Sequence, residues 1–226
     1  MRTMIAVPCM DMVHTDFMRS ALSLQHRDET QFYFSQASLV YDGRNKLAEA
    51  AISGKFDRVL WLDSDMRFEP ELAEQLHADL DEGREFVSAL YFSRKPPITP
   101  VIYKEITSDV IDGQQWPRAD SFIDYPADSI FPIAGCGFGA VMMTAELLQR
   151  VREAYGLPFA PFIGFGEDLS FCMRVRELGA EMWCDSRVKP GHVGLSVFDE
   201  ELYRQKPVRH VNLQNGGSAA WTTRTS

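Results

Sequence analysis

Short apolar runs alternate with longer amphipathic stretches along the first part of the chain. Met4-Ile5-Ala6-Val7 predicts a strand, stopped by Pro8, which has no backbone N–H to donate. A helical stretch over Thr15–Leu24 follows, then a strand over Gln31–Ser35. Asn45–Ser53 is rich in helix formers, and Gly54 stands where a C-terminal cap belongs. Arg58–Leu62 predicts a buried strand that ends abruptly in Asp63-Ser64-Asp65. Pro70 opens a helix in which Leu72, Leu76 and Leu80 recur at helical spacing as far as Gly83. Phe86–Phe92 predicts another strand. This alternation implies an α/β fold, a mostly parallel central sheet with helices on both faces.

The rhythm breaks at Ser93–Pro100, which holds Pro96, Pro97, Pro100, Arg94 and Lys95 and reads as a linker or binding loop. Residues 104–130 are polar and suggest no element. Order returns with Gly135-Cys136-Gly137-Phe138-Gly139 and a strand over Ala140–Met143. Thr144 is placed to cap a helix over Ala145–Tyr155. A loop over Pro158–Gly166 feeds Glu167-Asp168 into a helix carrying Leu169, Cys172, Val175 and Leu178, closed by Gly179. A strand over Glu181–Cys184 follows, and then His192 between glycines on a predicted loop. Residues 207–226 read as a polar tail after a single domain spanning 1–206.

Composition narrows the classes. The 226 residues are 45% hydrophobic and 24% charged, as in a soluble globular protein. A net charge of −9 argues against broad binding to nucleic acid or anionic membrane, though it leaves a local basic groove possible. The four cysteines form no CxxC pair, so reduced, buried thiols are expected. No leader-like segment and no run of membrane-spanning length stands out, which predicts a cytoplasmic chain.

Candidate chemistry centres on Asp63 and Asp65. Strand side chains alternate faces, so both carboxylates can point the same way from a strand end. They repel unless a cation lies between them, and Mg²⁺ or Mn²⁺ favours oxygen ligands plus substrate phosphates. A polar turn is the plain alternative for an isolated D-x-D. Glu167 and Asp168 open a helix, where acidic residues either favour the dipole or supply a general base. His192 offers an imidazole, Arg44 a guanidinium suited to phosphate, and Asn45 either a helix cap or a ligand contact. Trp116, Phe138, Phe159, Phe162 and Phe165 sit in or near glycine and proline loops, as a sugar platform or as core cover.

In this order the motifs resemble GT-A fold glycosyltransferases, most of all the family 2 group. The resemblance covers roughly residues 4–194. It rests on the Ile-Ala-Val-Pro strand, Arg44-Asn45, Leu-Trp-Leu-Asp-Ser-Asp as the DxD motif, Gly-Cys-Gly-Phe-Gly, Gly-Glu-Asp at a helix start, and the later His192. It implies transfer of a sugar from a UDP- or GDP-sugar to an acceptor hydroxyl with inversion. Residues 1–92 would form the nucleotide-sugar half and 93–206 the acceptor half. Pro8, Cys9, Arg44, Asn45, Asp63 and Ser64 would contact the donor nucleotide. Asp63, Asp65 and His192 would hold Mn²⁺ or Mg²⁺. Asp168, with Glu167 beside it, would be the catalytic base, and Trp116, Gly137, Phe138 and Phe165 would meet the acceptor. That acceptor could be a glycan, a lipid-linked sugar, a protein or a modified nucleic-acid base.

Two departures stand out. The acidic turn expected after the second strand is replaced by Phe34-Ser35-Gln36-Ala37-Ser38, and Cys9-Met10 follows Pro8. A sugar-phosphate nucleotidylyltransferase is disfavoured because Val7-Pro8-Cys9-Met10-Asp11 lacks a glycine-rich loop. A non-catalytic binding module of the same fold is the other alternative.

Overall fold

A computed structural model describes residues 1–204 except 28, 95, 112, 163, 195 and 196. The expected tail over 207–226 and Lys95 of the basic loop therefore lie outside the described residues. The first elements are β1 (Thr3–Cys9), α1 (Thr15–Ser23), β2 (Thr30–Gln36), α2 (Val40–Ser53), β3 (Arg58–Leu62) and β4 (Met66–Arg67). Next come α3 (Leu72–Asp81), β5 (Phe86–Ala89), β6 (Ile102–Ile111), β7 (Gln114–Ser121), β8 (Ile130–Ile133) and β9 (Gly135–Cys136). The last are β10 (Ala140–Thr144), α4 (Ala145–Tyr155), α5 (Glu167–Glu177), β11 (Met182–Asp185), β12 (Gly191–Val193), β13 (Val197–Phe198) and α6 (Glu200–Arg204).

Seven strands form the central sheet in the order β2-β1-β3-β10-β5-β11-β8. β1 pairs in parallel with β2 and β3, and β5 in parallel with β11; β10 runs antiparallel between β3 and β5, and β8 antiparallel at the edge. The mostly parallel α/β sheet read from the sequence is therefore present. Period-two alternation divides two cores across it. Met4, Ala6, Val59, Trp61, Val141 and Met143 face one side, with apolar residues of α2, α4 and α5. Ile5, Val7, Leu60, Leu62, Ala140 and Met142 face the other, with Phe17 of α1 and Leu72, Leu76 and Leu80 of α3. Helices thus cover both faces, so the strands can be apolar throughout.

Several local expectations hold at the level of individual contacts. Thr144 caps α4, its Oγ1 accepting the Leu147 N–H at 3.2 Å. Gly179, past the end of α5, adopts φ 74°, a conformation that suits glycine. The four cysteines are free thiols, and Cys136, Cys172 and Cys184 are buried.

Several boundaries differ from the sequence reading. Strand β1 runs through Pro8 to Cys9, because there it pairs with β2 alone and a missing N–H is tolerated, and β5 ends at Ala89 rather than Phe92. Helix α2 begins at Val40, so Arg44 and Asn45 lie within it rather than before it. Gly43 lowers local helix propensity and hid that first turn, which packing beneath Ser35 and Ala37 sustains. Strands β6 and β7 form a hairpin, and among its described residues the buried Ile102 and Ile106 are too few to show a strand period in a polar stretch. His192 lies in the short strand β12, paired antiparallel with β4, not on a loop.

One polar cluster lies on the far side of the sheet from α2. Asp79 of α3 and Asp185 of β11 are almost fully buried and share Arg187, at 2.9 Å and 2.8 Å. Burial, then the neighbouring Asp185 charge, raises the Asp79 carboxyl to about 7. Below its unfolded value both states hold the proton, and between there and about 7 only the folded chain does. Stability contributed by this group therefore declines as pH rises from about 4 to about 7. Asp79→Asn removes that titration, so thermal melts of the variant should fall less across this window than those of the wild type. An identical slope would sink the assignment.

Candidate functional site

The carboxyl ends of β1, β2 and β3 border a cleft of about 760 Å³. Ligands of open α/β sheets bind at this edge. Chain reversal at β10 brings Phe138 to the same edge, because Ala140 pairs with Leu62. The start of helix α5 delivers Glu167 and Asp168 to the same cleft.

Arg44 joins the two acidic groups. Its Nη2 donates to Asp63 Oδ1 at 2.7 Å and its Nε to Glu167 Oε1 at 3.3 Å. The side chain is only 3% exposed, and its guanidinium carbon lies 5.2 Å from the centre of the Phe138 ring. Burial opposes the charge on Arg44, but Asp63, Glu167 and Asp168 outweigh it and push its pKa up. Burial, followed by the Asp65 charge, raises the Asp63 carboxyl against the pull of Arg44.

Asp65 sits beyond Asp63 in a different setting. Its Oδ2 lies 3.4 Å from His192 Nε2 and is also paired with Arg94 Nη1. The register of β4 on β12 places His192 there, and the Val193 N–H donates to the Asp65 carbonyl at 2.7 Å. His192 Nδ1 lies 3.1 Å from the Phe92 carbonyl, which orients the ring with Nε2 toward the carboxylate. Burial works to raise Asp65, but hydrogen bonding and charge from His192, then Arg94, hold it below its ordinary range.

Asp168 has the opposite bias. Burial, then the Glu167 charge, lifts it to about 6, although its Oδ1 accepts the Leu169 N–H at 2.7 Å. Tyr103 of β6 feels the same carboxylate: burial, then Asp168, pushes its phenol to about 12. A carboxyl poised near neutrality in a cleft is suited to taking up a proton.

Of the residues singled out in the sequence, Pro8, Cys9, Arg44, Asp63, Ser64, Asp65, Phe138, Glu167, Asp168 and His192 line one cleft. Asn45 does not line it; its Oδ1 accepts the Phe159 N–H at 2.9 Å and so secures the loop before α5. Gly137 is also off the cleft lining, and a Cβ there would strike the Tyr91 hydroxyl. Phe165 is 6% exposed and belongs to the core. Trp116 stands on β7, 53% exposed and outside the cleft.

Sequence reasoning passed over Tyr91 and placed Arg94 only in a linker or binding loop, apart from the acidic motifs. Tyr91 accepts the Gly139 N–H at 3.2 Å, which fixes the Gly-Phe-Gly turn under the cleft. The one available signal was polar residues following an apolar strand, in Tyr91-Phe92-Ser93-Arg94.

No protein-family model and no curated protein matches this chain. Among solved structures, A197 from STIV matches at 18% identity and TM-score 0.63, over 86% of each chain. S. aureus TarS 1–349 matches at 15% identity and TM-score 0.47, over 77% of this chain and 55% of that one. The same TarS fragment in complex with UDP-GlcNAc gives 16% identity, TM-score 0.48, and 77% and 53% coverage. The chain has the fold of A197. It spans about half of the TarS fragment.

Proposed function

We propose that this protein is a metal-dependent glycosyltransferase that moves a sugar from a nucleotide-diphosphate sugar to an acceptor hydroxyl. One observation carries the reading: Arg44 ties the Asp63 end of β3 to the Glu167-Asp168 start of α5 across a single cleft. At the first end Asp63 is raised and Asp65 is held down, and at the second Asp168 is raised to about 6. Environments that push carboxyl groups apart in this way suit separate electrostatic and base roles.

The donor set fits a divalent cation. Asp65 Oδ2 and His192 Nε2 converge; the carboxylate oxygen suits either Mn²⁺ or Mg²⁺, and the added imidazole nitrogen favours Mn²⁺, the softer of the two. Among the described residues no three His, Cys, Asp or Glu side chains gather as a ready-made cage. Phosphate oxygens would complete the shell, as is usual for Mg²⁺. A bound cation would offset negative charge on the departing diphosphate.

The chain's own residues account for the rest. Asp168, as carboxylate, accepts the proton of the acceptor hydroxyl as that oxygen bonds to the anomeric carbon. The bond from that carbon to the diphosphate oxygen breaks, and its electron pair leaves with the phosphate. Attack opposite the leaving group inverts the anomeric centre. Pro8, Cys9 and Ser64 border the nucleotide's place, and Arg44 holds Asp63 in position.

A screen of UDP-, GDP- and other nucleotide sugars, with and without Mn²⁺, reading release of the nucleoside diphosphate, tests the proposal. One donor should show release stimulated by the cation, and Asp65→Ala should cut that stimulation at least about tenfold. Stimulation that survives in Asp65→Ala would place the cation elsewhere. No release with any donor would favour the binding-module alternative.

A further inference from the structure

Two arginines sit on neighbouring carboxylates of this cleft, and they are held in unlike ways. Arg44 on Asp63 is 3% exposed, has a second carboxylate partner in Glu167 and lies over the Phe138 ring. Arg94 on Asp65 is 46% exposed, and its further contact is the Val193 carbonyl at 3.4 Å. The first is locked by burial, whereas the second pair is solvent-accessible and weak enough to exchange.

Arg94 also uses the very oxygen a cation would need. Asp65 Oδ2 faces both Arg94 Nη1 and His192 Nε2. A cation held by Asp65 and His192 would compete with the guanidinium, a like charge, for the same carboxylate. We propose that Arg94 is an exchangeable counterion. It neutralises Asp65 while no cation is bound, and it moves onto the donor's diphosphate when one is. This inference rests on the reading of Asp65 and His192 as cation ligands.

Charge explains why the exchange would help. With Arg44 on Asp63 and Arg94 on Asp65, the paired carboxylates carry little net attraction for a bare cation. A diphosphate arriving with the cation supplies negative charge to draw Arg94 off, and a guanidinium suits phosphate geometry. Arg94 lines the same cleft, so the move needs only a side-chain swing. Cation and nucleotide would then strengthen each other's binding, and linkage makes that effect reciprocal.

The test measures Mn²⁺ binding by the loss of its free electron-paramagnetic-resonance signal in wild type, Arg94→Gln and Asp65→Asn. It then measures UDP and GDP binding calorimetrically at saturating Mn²⁺. Thermal melts check that each variant is folded. Without nucleotide, Arg94→Gln should bind Mn²⁺ about two- to fivefold tighter, because a competing partner is gone. With Mn²⁺ present it should bind the preferred nucleoside diphosphate about tenfold weaker. Arg94→Lys, which keeps the charge, should fall between the two.

These opposite shifts separate exchange from simple damage to the site. If Asp65→Asn removes Mn²⁺ binding but Arg94→Gln leaves it unchanged or weaker, the exchange is overturned and the cation site stands. Equal nucleotide affinity in wild type and Arg94→Gln overturns it as well. If Asp65→Asn binds Mn²⁺ as wild type does, the cation site itself is wrong and this inference falls with it.

Discussion

Asp168→Asn is expected to lower sugar transfer by about 10²- to 10⁴-fold while leaving nucleotide binding intact. The amide keeps the size of the carboxyl and the bond to the Leu169 N–H, but it cannot take the acceptor's proton. The wild-type rate should also follow the ionisation of this group. Burial and Glu167 place it at about 6, so transfer should rise with pH up to about 6 and level off above it. Stability should move the other way. The folded chain holds a proton on Asp168 that the unfolded chain has released between about 4 and about 6. Across that range the group's contribution to stability declines as pH rises, and Asp168→Asn should therefore melt at an equal or higher temperature at neutral pH. A variant that keeps transfer, or a wild-type profile flat from about pH 5 to about pH 8, roughly one unit below to two above the expected pKa, would remove Asp168 from the base role.

Arg44→Ala is expected to cost about 3–5 kcal/mol of stability, the penalty for removing one partner from a buried ion pair. Asp63 and Glu167 would lose their shared cation, and Asp168 would lose a nearby favourable charge. The alanine would also leave a hole beneath the Phe138 ring, next to Trp61 and Phe159. For a domain of this size the loss should lower the melting temperature by roughly 10 °C. Arg44→Lys keeps the charge but cannot hold both carboxylates with one planar fork, so it should fall between alanine and wild type. If Arg44→Ala melts within about 1 °C of wild type, the bridge contributes nothing to the fold.

Strand β3, with its acidic end, was readable because burial on both faces demands an unbroken apolar run, and Asp63-Ser64-Asp65 ends it abruptly. Helices α4 and α5 were readable through period, cap and terminal glycine. The β6–β7 hairpin was not, since a ribbon with one narrow apolar face leaves little pattern in its sequence. The start of α2 was hidden because Gly43 lowers propensity where tertiary packing restores the helix. The same shift put Arg44, expected as a donor contact, at a buried position inside the helix.

Local patterning by itself determined the α/β class, the central strands and the acidic pairs at Asp63-Asp65 and Glu167-Asp168, because those follow from burial period and helix-end chemistry. Only the tertiary structure decided which side chains meet. Arg44 reaches Glu167 across 123 positions of the chain and Arg94 reaches Asp65 across 29, contacts set by strand order and register. It also decided that Asn45 secures a loop, that Gly137 leaves room for the Tyr91 hydroxyl, and that neither lines the cleft. Ionisation follows the same division, since the burial and neighbouring charges that lift Asp168 and hold Asp65 down exist only once the sheet has closed over them.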